Sequence, residues 1–478
     1  MKSILSIVSY QLSTIMLMVL FFASPLKAQV TIGSEDPPQN FSVLELISNE
    51  RGLRLPQLTE DEQKNLKLDE FDPVADLDLF ERAQGLVIYN KTTNCLEFWN
   101  GEEWVSLCET TIGIEGSLTN PYPVCSPEDL DEMRNKPNAH FILCGNIDLT
   151  EYLSSGAGYD KWQGSGWMPV GDVTVPFTGS LNGAGYTISG LWLERSVTGY
   201  VPVGLFGYIE GGKVINLKVE LKRDDSNGIN GIHGGTNTCV GGLAGRLFGD
   251  GGLISNCSVT GPGEVRGSNS VGGIVGRVDI GKSKIIGCYA SVNVNGNNGI
   301  GGIVGMVSSS VTIERGGRMT NCYSTGDISG TTGAGGVAGR VENGGSVSYC
   351  YATGTISRSA TGNSANYIGG VVGRIDNHGS VNSCVALNSS VTTTYGDGVG
   401  RITGLNDAGT SGLGNNWADQ NMKNSADNTT WNNKGQNQND GADIIPAGSE
   451  MSASWWLTNL GWSEYYWTFT NGQLPELK

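Results

Sequence analysis

The chain has 478 residues, room for two or three domains, and only 16% of them are charged. A formal charge of −17 with no basic cluster excludes a nucleic-acid binder, which must neutralise phosphates, and sets the chain against anionic lipid. Glycine, at 72 residues, is about twice its usual share, yet it follows no three-residue period, so the chain is not collagenous.

Residues 1–28 read as a secretory signal, with Lys2 at the start, an apolar run from Ile15 to Ala23, and a processing site at Ser24, Pro25 and Ala28. Removing it takes away Lys2 and Lys27, which leaves 28 basic against 47 acidic residues and a charge of −19. No later stretch is apolar enough to span a bilayer, so an exported protein is expected, whether extracellular, at the cell surface or periplasmic.

Residues 29–108 read as a small β-rich head. Gly85 to Tyr89 and Cys95 to Trp99 are strand-like around a turn at Lys91 to Asn94, and Asn100-Gly101 introduces a second hairpin with Trp104 to Leu107. The acidic stretch Thr59 to Glu81 is a helix or a solvated linker, and residues 109–121 are a Gly/Ser/Thr/Pro linker. Residues 122–201 are expected to cap a solenoid. Ser126-Pro127-Glu128-Asp129 starts a short helix, strands follow at Phe141 to Cys144 and Ile147 to Leu149, and Asn182-Gly183 marks a turn.

Between residues 202 and 404 one Gly-rich phrase recurs seven times, from Pro202, Val240, Val271, Ile300, Ala334, Ile368 and Val399, in steps of 38, 31, 29, 34, 34 and 31 residues. Such a period means stacked repeats, and the expected fold is mainly β: a right-handed parallel β-helix of about seven coils, rising ~4.8 Å per coil. The Gly pairs serve tight packing or positive φ.

A second phrase carries Cys257, Cys288, Cys322, Cys350 and Cys384 in register. In the earliest coil Leu217 takes the Cys place and Val219 lies two residues on, with Lys218 between, so by strand alternation the Cys side faces inward. The five are expected to be buried core thiols. Their successors point out, which puts Tyr289, Tyr323 and Tyr351 in an outward row, either as stacking between coils or as an aromatic platform for a ligand. Arg246, Arg277, Arg340 and Arg374 follow the Gly phrase, with Asp279, Glu342 and Asp376 two residues after three of them. That pattern makes either an ion-pair ladder or a polar recognition stripe. Cys95 with Cys108, and Cys125 with Cys144, bracket short segments and are candidate disulfides.

Residues 405–450, rich in Asn, Asp and Gly, read as a long loop. In residues 451–478, Trp455, Trp456, Trp462, Tyr465, Tyr466 and Trp467 crowd together and are expected to lid the last coil. Only three histidines are present, with no His-Glu-x-x-His, no Gly-x-Ser-x-Gly elbow and no phosphate loop. No catalytic residue, metal site or cofactor is therefore expected.

The phrases Gly301-Gly302-Ile303-Val304-Gly305 and Asn321-Cys322-Tyr323-Ser324-Thr325-Gly326 resemble the GLUG repeat of bacterial exported and surface proteins, which include some large IgA-cleaving peptidases. The approach to the array, including Gly166-Trp167-Met168-Pro169-Val170-Gly171 and Pro176-Phe177-Thr178-Gly179, resembles the segment that precedes such repeats, so the likeness covers roughly residues 120–404. The peptidase metal motif is absent, so no protease activity carries over. In the head, Val30-Thr31-Ile32-Gly33, Gly52-Leu53-Arg54-Leu55-Pro56 and Gly85-Leu86-Val87-Ile88-Tyr89-Asn90 resemble N-terminal segments of fibre-like envelope proteins of Gram-negative anaerobes, which implies oligomerisation through the head. The resulting expectation is an adhesin-like protein that presents its solenoid to a glycan or a host or surface protein. A polysaccharide-active β-helix enzyme and a structural fibre or envelope component are the alternatives.

Overall fold

The structure is a computed structural model that divides into two compact units, residues 1–110 and 111–478. It describes residues 30–32, 44–46, 55–68, 83, 85–101, 103–106, 115–198, 201–225, 228–236, 239–279, 281–308, 316–358, 367–393, 398–408, 412–446 and 452–478. The expected signal at 1–28 and the partner cysteine Cys108 lie outside these residues.

In the smaller unit Val30–Ile32 pairs in parallel with Leu44–Leu46. A separate four-stranded sheet runs in the order Gln57–Leu58, Val87–Asn90, Cys95–Trp99 and Trp104–Ser106, with both hairpins antiparallel. Asn90 sets the first turn, its side-chain oxygen accepting from the backbone N–H groups of Thr92 and Thr93. The acidic stretch begins as a helix, Glu60–Lys64, because Thr59 and Glu62 form a capping box. Gln63 and Asn90 both donate to the buried Glu97 carboxylate, at 2.6 and 3.1 Å, which ties that helix to the hairpin.

The larger unit is a parallel β-helix. Each regular coil contributes one short strand to each of five sheets, and every strand pairs in parallel with its equivalent one coil on. The coil that starts at Asn298 shows the pattern: Asn298–Gly301, Val304–Val307, Arg318–Thr320, Tyr323–Ser324 and Ile328–Gly330. Interior positions hold Ile, Val, Ala and Cys and form one continuous core.

Two local rules wind the chain. The residue before each Cys position adopts a left-handed conformation, as at Asn216, Asn256, Gly287, Asn321, Tyr349, Ser383 and Asn415, with φ between 51 and 62°. That residue turns the chain between two sheets, and Asn or Gly tolerates it best. The Gly phrase is a matter of space instead. A Cβ on Gly335 would lie 2.2 Å from Ala338 O and 2.5 Å from Gly373 N, and one on Gly336 would lie 2.2 Å from Gly370 O. Adjacent coils approach so closely there that only hydrogen fits.

The winding is longer than the Gly phrase. Residues 122–201, expected as a cap, supply Tyr122–Val124, His140–Leu143 and Ser180–Asn182 to one coil sheet, and Ile147–Asp148 and Thr187–Leu191 to the next. The phrase is missing here because Phe141, Phe177 and Trp167, all buried, fill the interior that the later coils leave to backbone. At the other end, residues 405–450 are not one long loop. Leu413–Gly414, Trp417–Asp419 and Ala442–Ile444 continue the same two sheets.

In the last copy of the phrase, Arg401 stands where earlier coils have the second Gly, and it is fully buried. Its guanidinium donates to the carbonyls of Asp440, Asp419 and Gly441 at 2.8 to 3.1 Å and pairs with Asp443 at 2.8 Å. The segment around Asn439 thus closes the end of the stack, a role expected of the aromatic C-terminus. The aromatic segment packs along the side of the coils and reaches the last strands at Trp417 and Ile444.

Candidate functional site

Three features marked in the sequence can be placed. The five thiols face inward and are buried. Their Sγ atoms lie near carbonyls of the preceding strand, as with Cys257 and Ser255 O at 3.2 Å and Cys350 and Ser348 O at 3.0 Å. Burial holds the thiols of Cys257, Cys322 and Cys350 well above their ordinary range, the opposite of a reactive cysteine. Cys125 and Cys144 are joined by a disulfide, with Cα atoms 5.2 Å apart.

The arginines form a ladder in register, Arg246 beside Arg277, then Met306, Arg340 and Arg374. Asp279, nearly buried, accepts from both Arg246 and Arg277 at 2.6 and 2.5 Å. Arg340 pairs with Glu342 and Asp376, and Arg374 with Asp376 and Asp407. All four guanidiniums are engaged within the coil stack.

The tyrosine row is where structure and sequence reading part. Tyr289, Tyr323 and Tyr351 are in register and stack face to face, with ring centroids 5.1 and 4.9 Å apart and planes within 5°. The row does not face solvent as a platform. Tyr351 is only 3% exposed, and Tyr323 is half-covered, because the C-terminal segment folds back along this side of the coils.

That segment opens with the helix Ala453–Leu460, capped by Ser452 and ended by Gly461 at φ 69°. The helix buries Trp456 and Leu460 one turn apart. Trp462 and Trp467 follow, with centroids 6.2 and 5.9 Å from the Tyr351 ring. Trp467 donates its indole N–H to Asn321 at 2.9 Å, Trp462 donates to Ser383 O at 2.9 Å, and the Tyr351 hydroxyl donates to Pro475 O at 3.0 Å. Burial raises the phenol of Tyr323 to about 12. The chain's own tail therefore occupies the aromatic row, and Tyr351 is withdrawn as a ligand contact.

An unmarked site lies at the first full coil. A cleft of about 470 Å³ is lined by Tyr159 and Trp192 and by Ser154, Glu194, Asn230 and His233. Tyr159 comes from the helix Ala157–Trp162, Glu194 from the strand Leu193–Thr198, and His233 from the strand Ile229–Thr236, which pairs with the latter so that Glu194 and His233 are in register.

His233 sits between two carboxylates. Nδ1 lies 3.0 Å from Glu194, and Nε2 faces Glu264 at 3.4 Å, an ion-pair contact longer than a good hydrogen bond. Glu264 first, with Glu194, raises the imidazole above its ordinary value against the opposing effect of burial. His233 in turn lowers Glu264, which also accepts from Asn295 at 2.5 Å. Trp192 Nε1 and Asn230 Oδ1 are buried without hydrogen-bond partners. The signal that could have found this site is the first repeat step, 38 residues where the next is 31. The extra length goes into the short strand Arg223–Asp224, which pairs antiparallel with the start of the His233 strand, and into the lengthening of that strand to eight residues. Among the described residues no cluster of His, Cys, Asp and Glu is arranged to hold a metal ion, and no helix is long and apolar enough to cross a membrane.

Two family models match the chain. One, described as a phage tail like trimerisation region, covers residues 31–120. The other, the GLUG motif, matches residues 236–265, 267–295 and 330–357, so coils of the solenoid are GLUG repeats. Over 150 residues, 31% of this chain, the sequence is 37% identical to a provisionally named Gly-rich membrane protein of Evansella cellulosilytica. Over 169 residues, 34% of the chain, it is 34% identical to halomucin of Haloquadratum walsbyi. The matches span only 15% and 2% of those relatives' own lengths. A solved chain from Bacteroides ovatus, provisionally named an immunoglobulin A1 protease, aligns with a TM-score of 0.45 and 19% identity over 76% of this chain and 94% of that one.

Proposed function

We propose that this protein is exported, assembles through its head, and displays its β-helix at the cell surface as a binding protein for glycan or protein ligands. The observation that carries this reading is the order of modules: a match to a trimerisation region at residues 31–120, followed by a β-helix whose later coils match the GLUG motif. A solenoid offers long regular faces, which suit recognition, and three copies on one stalk would raise weak contacts to useful avidity. The apolar start of the chain and the membrane character of the Evansella relative support export. The role is binding rather than catalysis, since the titratable groups placed by the coils are taken up in ion pairs along the stack.

The test is sedimentation equilibrium on residues 29–478 beside a chain lacking residues 31–120, together with protease shaving of intact cells. A three-chain assembly lost on deletion, and surface cleavage of the solenoid, are the expected results. A monomeric chain that shaving leaves untouched would refute the reading.

A further inference from the structure

The cleft beside His233 has the shape and lining of a binding site. It is concave, and its volume of about 470 Å³ lies within the range of small-molecule sites. Two aromatic residues line it, Trp192 nearly buried and Tyr159 45% exposed. The CH face of a sugar ring packs on such rings, with an apolar body against carbon and a polar edge left for hydrogen bonds.

The polar groups around those rings are of both kinds that hydroxyls need. Glu194 accepts, Ser154 offers both donor and acceptor, and the Asn230 side-chain amide nitrogen donates. The lining residues Trp192 and Asn230 each carry a buried polar atom, Nε1 and Oδ1, with no hydrogen-bond partner within the protein. Unsatisfied buried polar atoms are uncommon and costly, and both of these belong to residues of the cleft lining.

Charge selects among sugars. Among the described residues Glu194 is the one carboxylate in the cleft lining, no Lys or Arg stands there to pair with a sugar carboxylate, and Glu264 on the other side of His233 is offset by Arg266. Set in a chain of formal charge −17, this wall repels uronic and sialic acids.

We propose that the cleft binds a neutral saccharide, with Tyr159 and Trp192 as stacking surfaces, Glu194, Ser154 and Asn230 bonding its hydroxyls, and His233 holding Glu194 in place. This deepens the binding function proposed above and rests on it for its biological sense. Glu194 and His233 are held in register by strand pairing, so the polar wall is preorganised and little ordering is required on binding.

The test is calorimetric titration of residues 29–478 with maltotriose, cellotriose, mannotriose, N,N′-diacetylchitobiose and lactose, with sialyllactose and trigalacturonate as acidic arms. At least one neutral saccharide should bind, and neither acidic one. Tyr159→Ala and Glu194→Gln should each weaken that binding by about tenfold, equivalent to ~1.4 kcal/mol, with unchanged thermal melting for Tyr159→Ala. Tyr159 is exposed, so its truncation probes the ligand rather than the fold. Failure of every neutral saccharide to bind overturns the proposal, as does preference for an acidic one. Neutral binding that survives both substitutions overturns the cleft while leaving the surface-binding function standing. A monomeric, unexposed chain that still binds through Tyr159 and Glu194 does the reverse.

Discussion

Truncating Trp467 to alanine isolates the C-terminal segment from the coils it covers. The indole is fully buried, 4.6 Å between centroids from Trp462 and within 6.2 Å of Tyr323 and Tyr351. Burying a Trp removes roughly 200 Å² from water, worth about 5 kcal/mol at ~25 cal/mol per Å². Residual compactness of the unfolded chain takes back roughly 10–40% of that, and stranding the Asn321 carbonyl oxygen that accepts from the indole adds about 1 kcal/mol. The net loss is about 4 kcal/mol, in line with other Trp→Ala truncations. The remaining polar anchors include the Trp462 and Tyr351 bonds and Asn415 donating to Asn459 O at 2.7 Å, beside the packing of Trp455 and Trp456. Local opening of residues 452–478 should therefore become frequent while the coils stay wound. Hydrogen exchange with mass spectrometry should show lost protection in that segment and unchanged protection between Cys257 and Cys384, and a fluorescent apolar dye should bind the uncovered tyrosines. If the segment remained as protected as in the wild type, or the coils melted with it, the tail would not be a separable cover and the reasoning would fail.

Gly335→Ala should cost about 3 kcal/mol or more, because the new methyl meets backbone on three sides. Gly145→Ala, with nothing within 4 Å, should stay within about 0.5 kcal/mol in the same denaturant titration, and equal midpoints would refute the packing account. Cys257, Cys322 and Cys350 should resist maleimide in the native protein and react fully in denaturant, as read by peptide mass mapping, and native labelling would place them at solvent. The raised His233 contributes stability that is complete below its ordinary value of 6.5 and is lost as pH rises through its folded value. The lowered Glu264 contributes stability above its ordinary 4.5 that is lost as pH falls. The melting difference between wild type and His233→Gln, whose neighbouring charges are Glu194, Glu264 and Arg266, should be largest between about pH 5 and 6.5 and shrink on either side. A difference that grows toward pH 9 would show the imidazole acting without its charge.

The solenoid was legible because its signal is steric and repeats. A Cys position alternating with Lys218 or a tyrosine states which side is inward, and a Gly pair every coil states where two backbones meet. The coils before Pro202 were hidden because Phe141, Trp167 and Phe177 fill the same interior with different chemistry. The segment after Gly404 was misread because Asn and Asp side chains there bond to backbone in place of a Gly phrase, as Asn416 does to Cys384 N–H and Val381 O. The tyrosine row was placed on the correct side of the strand, but periodicity cannot say what covers a face from 100 residues further along the chain. The Trp192–His233 cleft escaped notice because its parts come from an inserted helix and from an overlong first repeat, neither of which recurs.

Arg401 has a further consequence. A stack of parallel rungs ends in a row of open amides, and an open row invites a second molecule to dock and extend it into a filament. Here the backbone N–H groups of Ile402 and Thr403 are spent on Asn439 O, and a buried guanidinium fills the slot that an incoming glycine would need. The rung at Ile402 and Thr403 is therefore closed to a second molecule that would add to it end to end.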